Sequence, residues 1–121
     1  MQQNELKKNH ANYSPLTPIV FLEKAAKVFP DRYSIIHENK FYTWKQTFLR
    51  CTQLASSLSQ KLTRGNVVGF IASNTPELYE AHFGVPMAGM ILNAINYRLD
   101  AKTIAYILSL IHISEPTRQL Q

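Results

Sequence analysis

"NVVGFIASNTPELYEAHFGVPMAGMILNAIN", residues 66–96, decides the fold. "NVVGFIAS" is almost wholly apolar, the pattern of a strand buried on both faces of a parallel sheet. "NTPELYEAHFGVPMAG" opens with Asn74 or Thr75 as a cap and Pro76 in the first turn, which reads as a helix. Pro86 should end or kink it, because proline lacks an N–H and clashes with the preceding turn. "MILNAI" is a second apolar strand. Strand, helix and strand in that order form a parallel crossover, right-handed in nearly all proteins. The class is α/β.

Upstream, Thr43 and Gln46 have the T-x-x-Q spacing of a capping box. The helix they open carries Trp44, Phe48, Cys51, Leu54, Ala55, Leu58 and Leu62 at intervals of three and four, one continuous apolar face. Gly65 stops it. Before it, "YSIIH" and "KFYT" flank the turn residues Glu38 and Asn39 and read as a β-hairpin. Before that, Thr17 caps and Pro18 starts a helix closed by Pro30. Its apolar face is wide: Ile19, Phe21, Leu22, Ala25, Ala26, Val28 and Phe29. Residues 1–13 are polar and read as a disordered tail.

Downstream, "NYRL" is a loop, Asp100 a cap, and "AKTIAYIL" a further helix. Such a helix normally returns the chain to another strand. "SLIHISEPTRQLQ", residues 109–121, instead has one apolar patch and a polar end, so it is expected to be disordered or only to extend the helix. Topologically the chain reads as the opening of something larger. The residues expected in the core are Trp44, Phe48, Cys51, Leu54, Leu58, Val67, Val68, Phe70, Ile71, Leu78, Val85, Ile91, Leu92 and Ile95.

Composition narrows the function. Of 121 residues, 45% are hydrophobic and 17% charged, a globular balance. The net charge of +5 is spread along the chain, with nothing denser than Lys7–Lys8, which argues against a nucleic-acid surface. The N-terminus lacks the apolar run of a secretory signal, and no run is long enough to span a membrane, so a soluble cytosolic product is expected. Cys51 is the only cysteine and falls on an apolar helix face, where a buried inert thiol is expected. Glycine-rich phosphate loops are missing. His10, His37, His82 and His112 show no ligand spacing. Glu77 and Glu80 are read as carboxylates complementing a helix N-terminus. Asn96 and Arg98 close a strand at the carboxyl edge, where α/β proteins bind ligands. They are the one functional pointer, set against a plain loop-closing role.

"YTWKQTFLRCTQLASSL" followed by "VVGFIASNTPELYEAHFGVPMAGMILNAINYRLDAKTIAYIL" resembles the beginning of the adenylate-forming superfamily, the AMP-dependent synthetases and ligases. "NYSPLTPIVFLEKAAKVFPDRYSIIH" and "HFGVPMAGMILNAIN" are most similar to plant acyl-activating enzymes, the acid–CoA ligases. The likeness runs from about Ala11 to Leu108. It implies the N-terminal part of a large α/β domain, covering residues 14–108. It also implies a parent enzyme that activates a carboxylic acid with ATP and Mg²⁺ to an acyl-adenylate and then transfers the acyl group to coenzyme A. The family's phosphate loop, its ribose-binding aspartate and its catalytic lysine match no position here. No catalytic, cofactor-binding or metal residue is therefore assigned, and this segment is expected to be inactive alone. "QKLTRGNVV" departs by lacking the Gly-Asp that relatives carry before the strand. "SLIHISEPTRQ" resembles translated sequencing-adapter sequence, which would make 109–121 a non-native tail. The compartment implied is cytoplasmic or peroxisomal, a peroxisomal tripeptide being a C-terminal signal. The rival readings are a stand-alone α/β module binding a small anion at Asn96–Arg98, and a regulatory partner of a full-length homologue.

Overall fold

The computed structural model describes residues 16–112 and 117–120. Helix α1 (Pro18–Val28) begins where the sequence places it. The Thr17 hydroxyl accepts from the Val20 N–H at 3.4 Å, and Pro18 fills the first turn. Only Leu22 of α1 is buried; Phe21 and Val28 remain 59% and 56% exposed. The wide apolar face expected of this helix is thus narrowed to Leu22, with Ile19, Ala25 and Ala26 half-buried.

Strands β1 (Tyr33–His37) and β2 (Lys40–Thr43) form the expected antiparallel hairpin, turning at Glu38 with φ 53°. The register shifts between Tyr33 and Ile35, leaving Ser34 as the residue of a bulge. The bulge aims the Ser34 hydroxyl at the Tyr42 carbonyl, 3.1 Å away, and at the hydroxyl of Thr47 on the next helix. Hairpin and helix are thereby joined through a fully buried Thr47.

Helix α2 (Trp44–Lys61) carries the complete capping box. The Thr43 hydroxyl accepts from the Gln46 N–H at 3.2 Å, and the Gln46 side chain accepts from the Thr43 N–H at 2.9 Å. Strand β3 (Val67–Ala72), helix α3 (Pro76–Met87) and strand β4 (Ile91–Asn96) make the strand–helix–strand unit, with β3 and β4 parallel in register from Val67↔Ile91 to Ala72↔Asn96. Pro86 sits one residue before the end of α3, so the helix stops almost at once after it, as the missing N–H and the clash with the preceding turn require.

One face of this sheet is covered by α2 and α3. Leu58, Val68, Phe70, Ala81, Val85 and Met90 form the buried cluster, flanked by Leu54, Leu62, Leu78 and Leu92. The two helices approach closely at Gly84, where a Cβ would lie 2.7 Å from Leu54 Cδ2. Of the residues expected in the core, Cys51, Leu58, Val68, Phe70, Val85 and Ile95 are buried. Trp44, Phe48, Leu54, Val67, Ile71, Leu78 and Leu92 are half-buried. Ile91 corrects the expectation, being 57% exposed. It opens a strand that is the sheet's edge, and by the strand's two-residue alternation it faces away from α2 and α3.

Helix α4 (Ala101–His112) starts at the Asp100 cap, whose Oδ1 accepts from the Thr103 N–H at 3.2 Å. Hydrogen bonding from the Thr103 side chain first, and then from its backbone N–H, holds the Asp100 carboxyl below its ordinary range. The helix extends past Leu108, as one of the two expected alternatives had it. Strand β5 (Thr117–Leu120) then pairs parallel with β3, giving the order β4-β3-β5. Within residues 109–121, expected to be disordered or only to extend the helix, 109–112 continue α4 and 117–120 pair as a strand. The physical reason is the free edge of β3, whose N–H and C=O groups favour any extended segment brought alongside. The polar tail at 1–13 lies outside the described residues.

Candidate functional site at the carboxyl ends of the parallel strands

Two clefts open where β3 and β4 end, and they share a wall. The first, about 660 Å³, lies between the β1–β2 hairpin and α3; Ile35, Ile36, Pro76, Tyr79 and Phe83 supply its apolar sides, with Ser34, His37, Thr75 and His82 among its polar groups. The second, about 490 Å³, lies between α3 and the loop after β4, bounded by Ala72, Ala94, Asn96, Tyr97 and Arg98. Asn74, Leu78 and His82 line both. This is the edge at which open α/β sheets receive ligands.

The polar groups are oriented locally. The Nδ1 of His82 is 2.8 Å from the Leu78 carbonyl. A carbonyl only accepts, so Nδ1 carries the proton, and in the neutral ring Nε2 is left as an acceptor. Asn96 Oδ1 accepts from the Arg98 N–H at 2.9 Å, closing the loop after β4. Arg98 Nε donates to the Tyr97 hydroxyl at 3.2 Å, which leaves the two terminal guanidinium nitrogens free of that bond. The pair Asn96 and Arg98 thus does the plain loop-closing work weighed against the functional one, and it also borders a cleft. His37 and His82 come to the same cleft; His10 and the side chain of His112 lie outside the described residues.

The two glutamates separate. Glu77 behaves as expected at a helix start: bonding to its own backbone N–H, aided by the Thr75 hydroxyl, holds its carboxyl below the ordinary range. Glu80 does not. It is 6% exposed and grips Arg50 of α2, Nε to Oε1 at 2.5 Å and Nη2 to Oε2 at 3.2 Å. The Arg50 guanidinium also lies over the Tyr42 ring, 4.5 Å from its centre. Glu80 is therefore the buried anchor of a bidentate pair with the half-exposed Arg50 linking hairpin, α2 and α3, rather than a dipole-complementing surface charge. Sequence reasoning missed this. The spacing of Arg50 from Glu80 is nonlocal, and nothing in either helix alone marks it.

Cys51 is fully buried, its Sγ 3.7 Å from the Glu80 carbonyl. Burial, with the Glu80 charge adding to it, pushes the thiol up to about 12. In the folded chain at pH 8 the thiol should resist iodoacetamide, and it should react at an ordinary rate once the chain is unfolded in guanidinium. Rapid labelling of folded chain would disprove the assignment. Because the folded value is raised, the associated stability is present below about pH 9 and is lost as pH climbs toward about 12.

The family profile described as "AMP-binding enzyme" matches residues 22–114. An acetate–CoA ligase of Humulus lupulus is 54% identical over 106 residues, which are 87% of this chain and 19% of that protein. A peroxisomal butyrate–CoA ligase of Arabidopsis thaliana is 56% identical over 99 residues, 81% of this chain and 17% of that protein. Among solved structures, an artificially fused adenylation–PCP di-domain from Klebsiella oxytoca superposes with a TM-score of 0.75 at 21% identity, covering 88% of this chain and 23% of that one. The fold is that of an adenylate-forming domain, and the chain belongs to the AMP-binding enzyme family. It spans about a fifth of the length of the curated relatives it matches. Among the described residues no helix is long and apolar enough to cross a membrane.

Proposed function

We propose that these residues are the N-terminal part of the AMP-binding domain of an acid–CoA ligase. The observation that carries this reading is identity above one half to acid–CoA ligases along most of the chain. In the proposed parent reaction, a carboxylate oxygen bonds to the α-phosphorus of ATP and pyrophosphate leaves. The sulfur of coenzyme A then bonds to the acyl carbon and AMP departs. Mg²⁺ would neutralise the phosphate charge in the first step. Among the described residues no group of three His, Cys, Asp or Glu comes together to hold such an ion. The part played by this segment is scaffolding: α2 and α3 cover one face of the β3–β4 pair, and the loops after those strands shape an edge of the domain.

Reading the genomic frame past the Leu108 codon tests the proposal. The expected result is a frame continuing from Leu108, without the sequence of residues 109–121, into a Ser/Thr/Gly-rich loop of the form [ST]-[SG]-G-[ST]-T-G-x-P-K. The same read tests whether 109–121 is non-native; the family match itself runs to residue 114. A genomic stop codon directly after Gln121 would favour a stand-alone binding module instead. The purified 121-residue chain should not exchange pyrophosphate into ATP with acetate, butyrate or benzoate, and exchange above a no-protein control would overturn the scaffolding role. The compartment we propose is the peroxisome or the cytoplasm, the first because the Arabidopsis relative is described as peroxisomal. The partners proposed for the parent are a small carboxylic acid, ATP and coenzyme A, without nucleic acid.

A further inference from the structure

Among the described residues the sheet β4-β3-β5 has two outer edges. β5 is four residues long with Arg118 in its sequence, and a short edge carrying a basic residue is a protected one. β4 is six residues long, and "AGMILNAINY", residues 88–97, contains no charged residue and no proline. The Ile91 N–H donates to the Asn66 carbonyl at 3.0 Å, so residues 91, 93 and 95 turn their backbone groups to β3. By the strand's alternation Leu92, Ala94 and Asn96 turn theirs to the open edge. The Asn96 carbonyl accepts from the Leu99 N–H at 3.3 Å, and no strand among the described residues pairs with the others. Unpaired backbone groups on an uncharged edge are a template for one more strand.

We propose that β4 is a self-association edge, through which two copies of this chain pair antiparallel about a two-fold axis at Ala94. The strand is complementary to itself in that register. Ala94 meets Ala94 of the second copy, small against small, and exchanges two N–H···O=C bonds with it. Leu92 meets Asn96, and Ile91 meets Tyr97, an aliphatic–aromatic cross-strand pair that occurs twice. Ile91 and Tyr97 are 57% and 46% exposed, so the pairing covers apolar surface that the chain itself leaves open. Each copy carries a net charge of +5, yet no like charges meet along residues 88–97. The area is small. An edge of six residues falls short of the roughly 1,200–2,000 Å² of a stable interface, so the dimer is a transient one. It requires no acyl chemistry and stands whether or not the parent is a ligase.

The test is sedimentation equilibrium of the full 121-residue chain up to about 1 mM, the range in which transient contacts are populated. A reversible monomer–dimer equilibrium is expected. Ala94→Pro removes an outward N–H and leaves the bonds to β3, since proline is tolerated on an edge strand whose N–H faces solvent. Ala94 is exposed, so the ring has room. The change should weaken association on the order of tenfold or more, while the circular dichroism of a dilute sample stays as in the unaltered chain. Ala94→Cys should give a disulfide-linked dimer on mild oxidation, because directly opposed Cα atoms lie about 5.5 Å apart, within disulfide reach. Asn93→Cys should not, its two copies being offset along the strands and more than about 7 Å apart. Cys51 is buried and does not compete. The cysteine pair decides the matter should the proline disturb the strand. A monomer throughout that range leaves the edge to another occupant and overturns the proposal. Assembly beyond dimers, undiminished association of Ala94→Pro, or linkage through Asn93→Cys in preference to Ala94→Cys overturns it as well.

Discussion

Leu58→Asp should abolish cooperative unfolding of this chain. Leu58 is 2% exposed and packs in the cluster with Val68, Phe70, Ala81, Val85 and Met90. Truncating such a leucine costs about 2–5 kcal/mol through lost transfer energy and the cavity left behind. An aspartate there adds the desolvation of a carboxylate with no partner, several kcal/mol more or an enforced protonation. The total matches the whole stability of an ordinary domain, about 5–15 kcal/mol. Circular dichroism on heating should show no sigmoidal transition. Gln60→Asp, on the exposed face of the same helix, is the control and should change stability by no more than about 0.5 kcal/mol. Leu54→Asp should fall between the two, because Leu54 is only half-buried although Gly84 abuts it. Similar melting curves for Leu58→Asp and Gln60→Asp would mean that α2 presents another face to the sheet.

The elements legible in the sequence are those whose signals are local. The capping box at Thr43 and Gln46, Thr17 before Pro18, and the Glu38–Asn39 turn each involve residues at most three apart, and each forms as its chemistry requires. The strands β3 and β4 were legible because an apolar run between turn residues has few other uses. Burial was less so. Periodicity tells which side chains share a face, not whether anything covers that face. Phe21, Val28 and Ile91 are apolar at regular positions yet more than half exposed, because no described element lies over them. Residues 117–120 show the converse: "TRQL" carries no strand pattern, and its pairing comes from the vacant edge of β3.

The site was legible in part. Asn96 and Arg98 were singled out from a topological rule alone, and the structure sets them at the rim of a cleft. His82 carries no ligand spacing in the sequence, and its bond is to the Leu78 carbonyl of its own helix; its place between two clefts depends on how α3 sits against the hairpin, which no local pattern encodes. Ser34 belongs to the same class. A bulge shifts register by one residue, and that shift alone turns its hydroxyl toward Thr47. Such contacts pair residues distant in sequence, and a single chain without its fold carries no mark of the partner.

Arg50→Ala should be the most damaging change at a residue that is not itself buried. Arg50 keeps 35% of its side-chain surface, whereas Glu80 keeps 7%, so the cost of the deletion falls on the glutamate left behind. Removing one member of a buried pair typically costs about 3–5 kcal/mol, because the remaining charge loses its compensation. Here water can enter where the guanidinium stood, which lowers the expectation to about 2–4 kcal/mol and a melting temperature about 10 °C lower or more. The Tyr42 ring loses its cation at the same time, so the hairpin should loosen from α2. Glu80→Gln should be milder, since a neutral amide still accepts from Arg50 and the freed guanidinium charge can face solvent. The double variant Arg50→Ala/Glu80→Gln should then be more stable than Arg50→Ala alone. That order is the distinguishing result, because loss of packing by the arginine stem would make the two changes additive. If the double variant is the least stable of the three, the pair acts through packing, and the charge of Glu80 is not what Arg50 is there to hold.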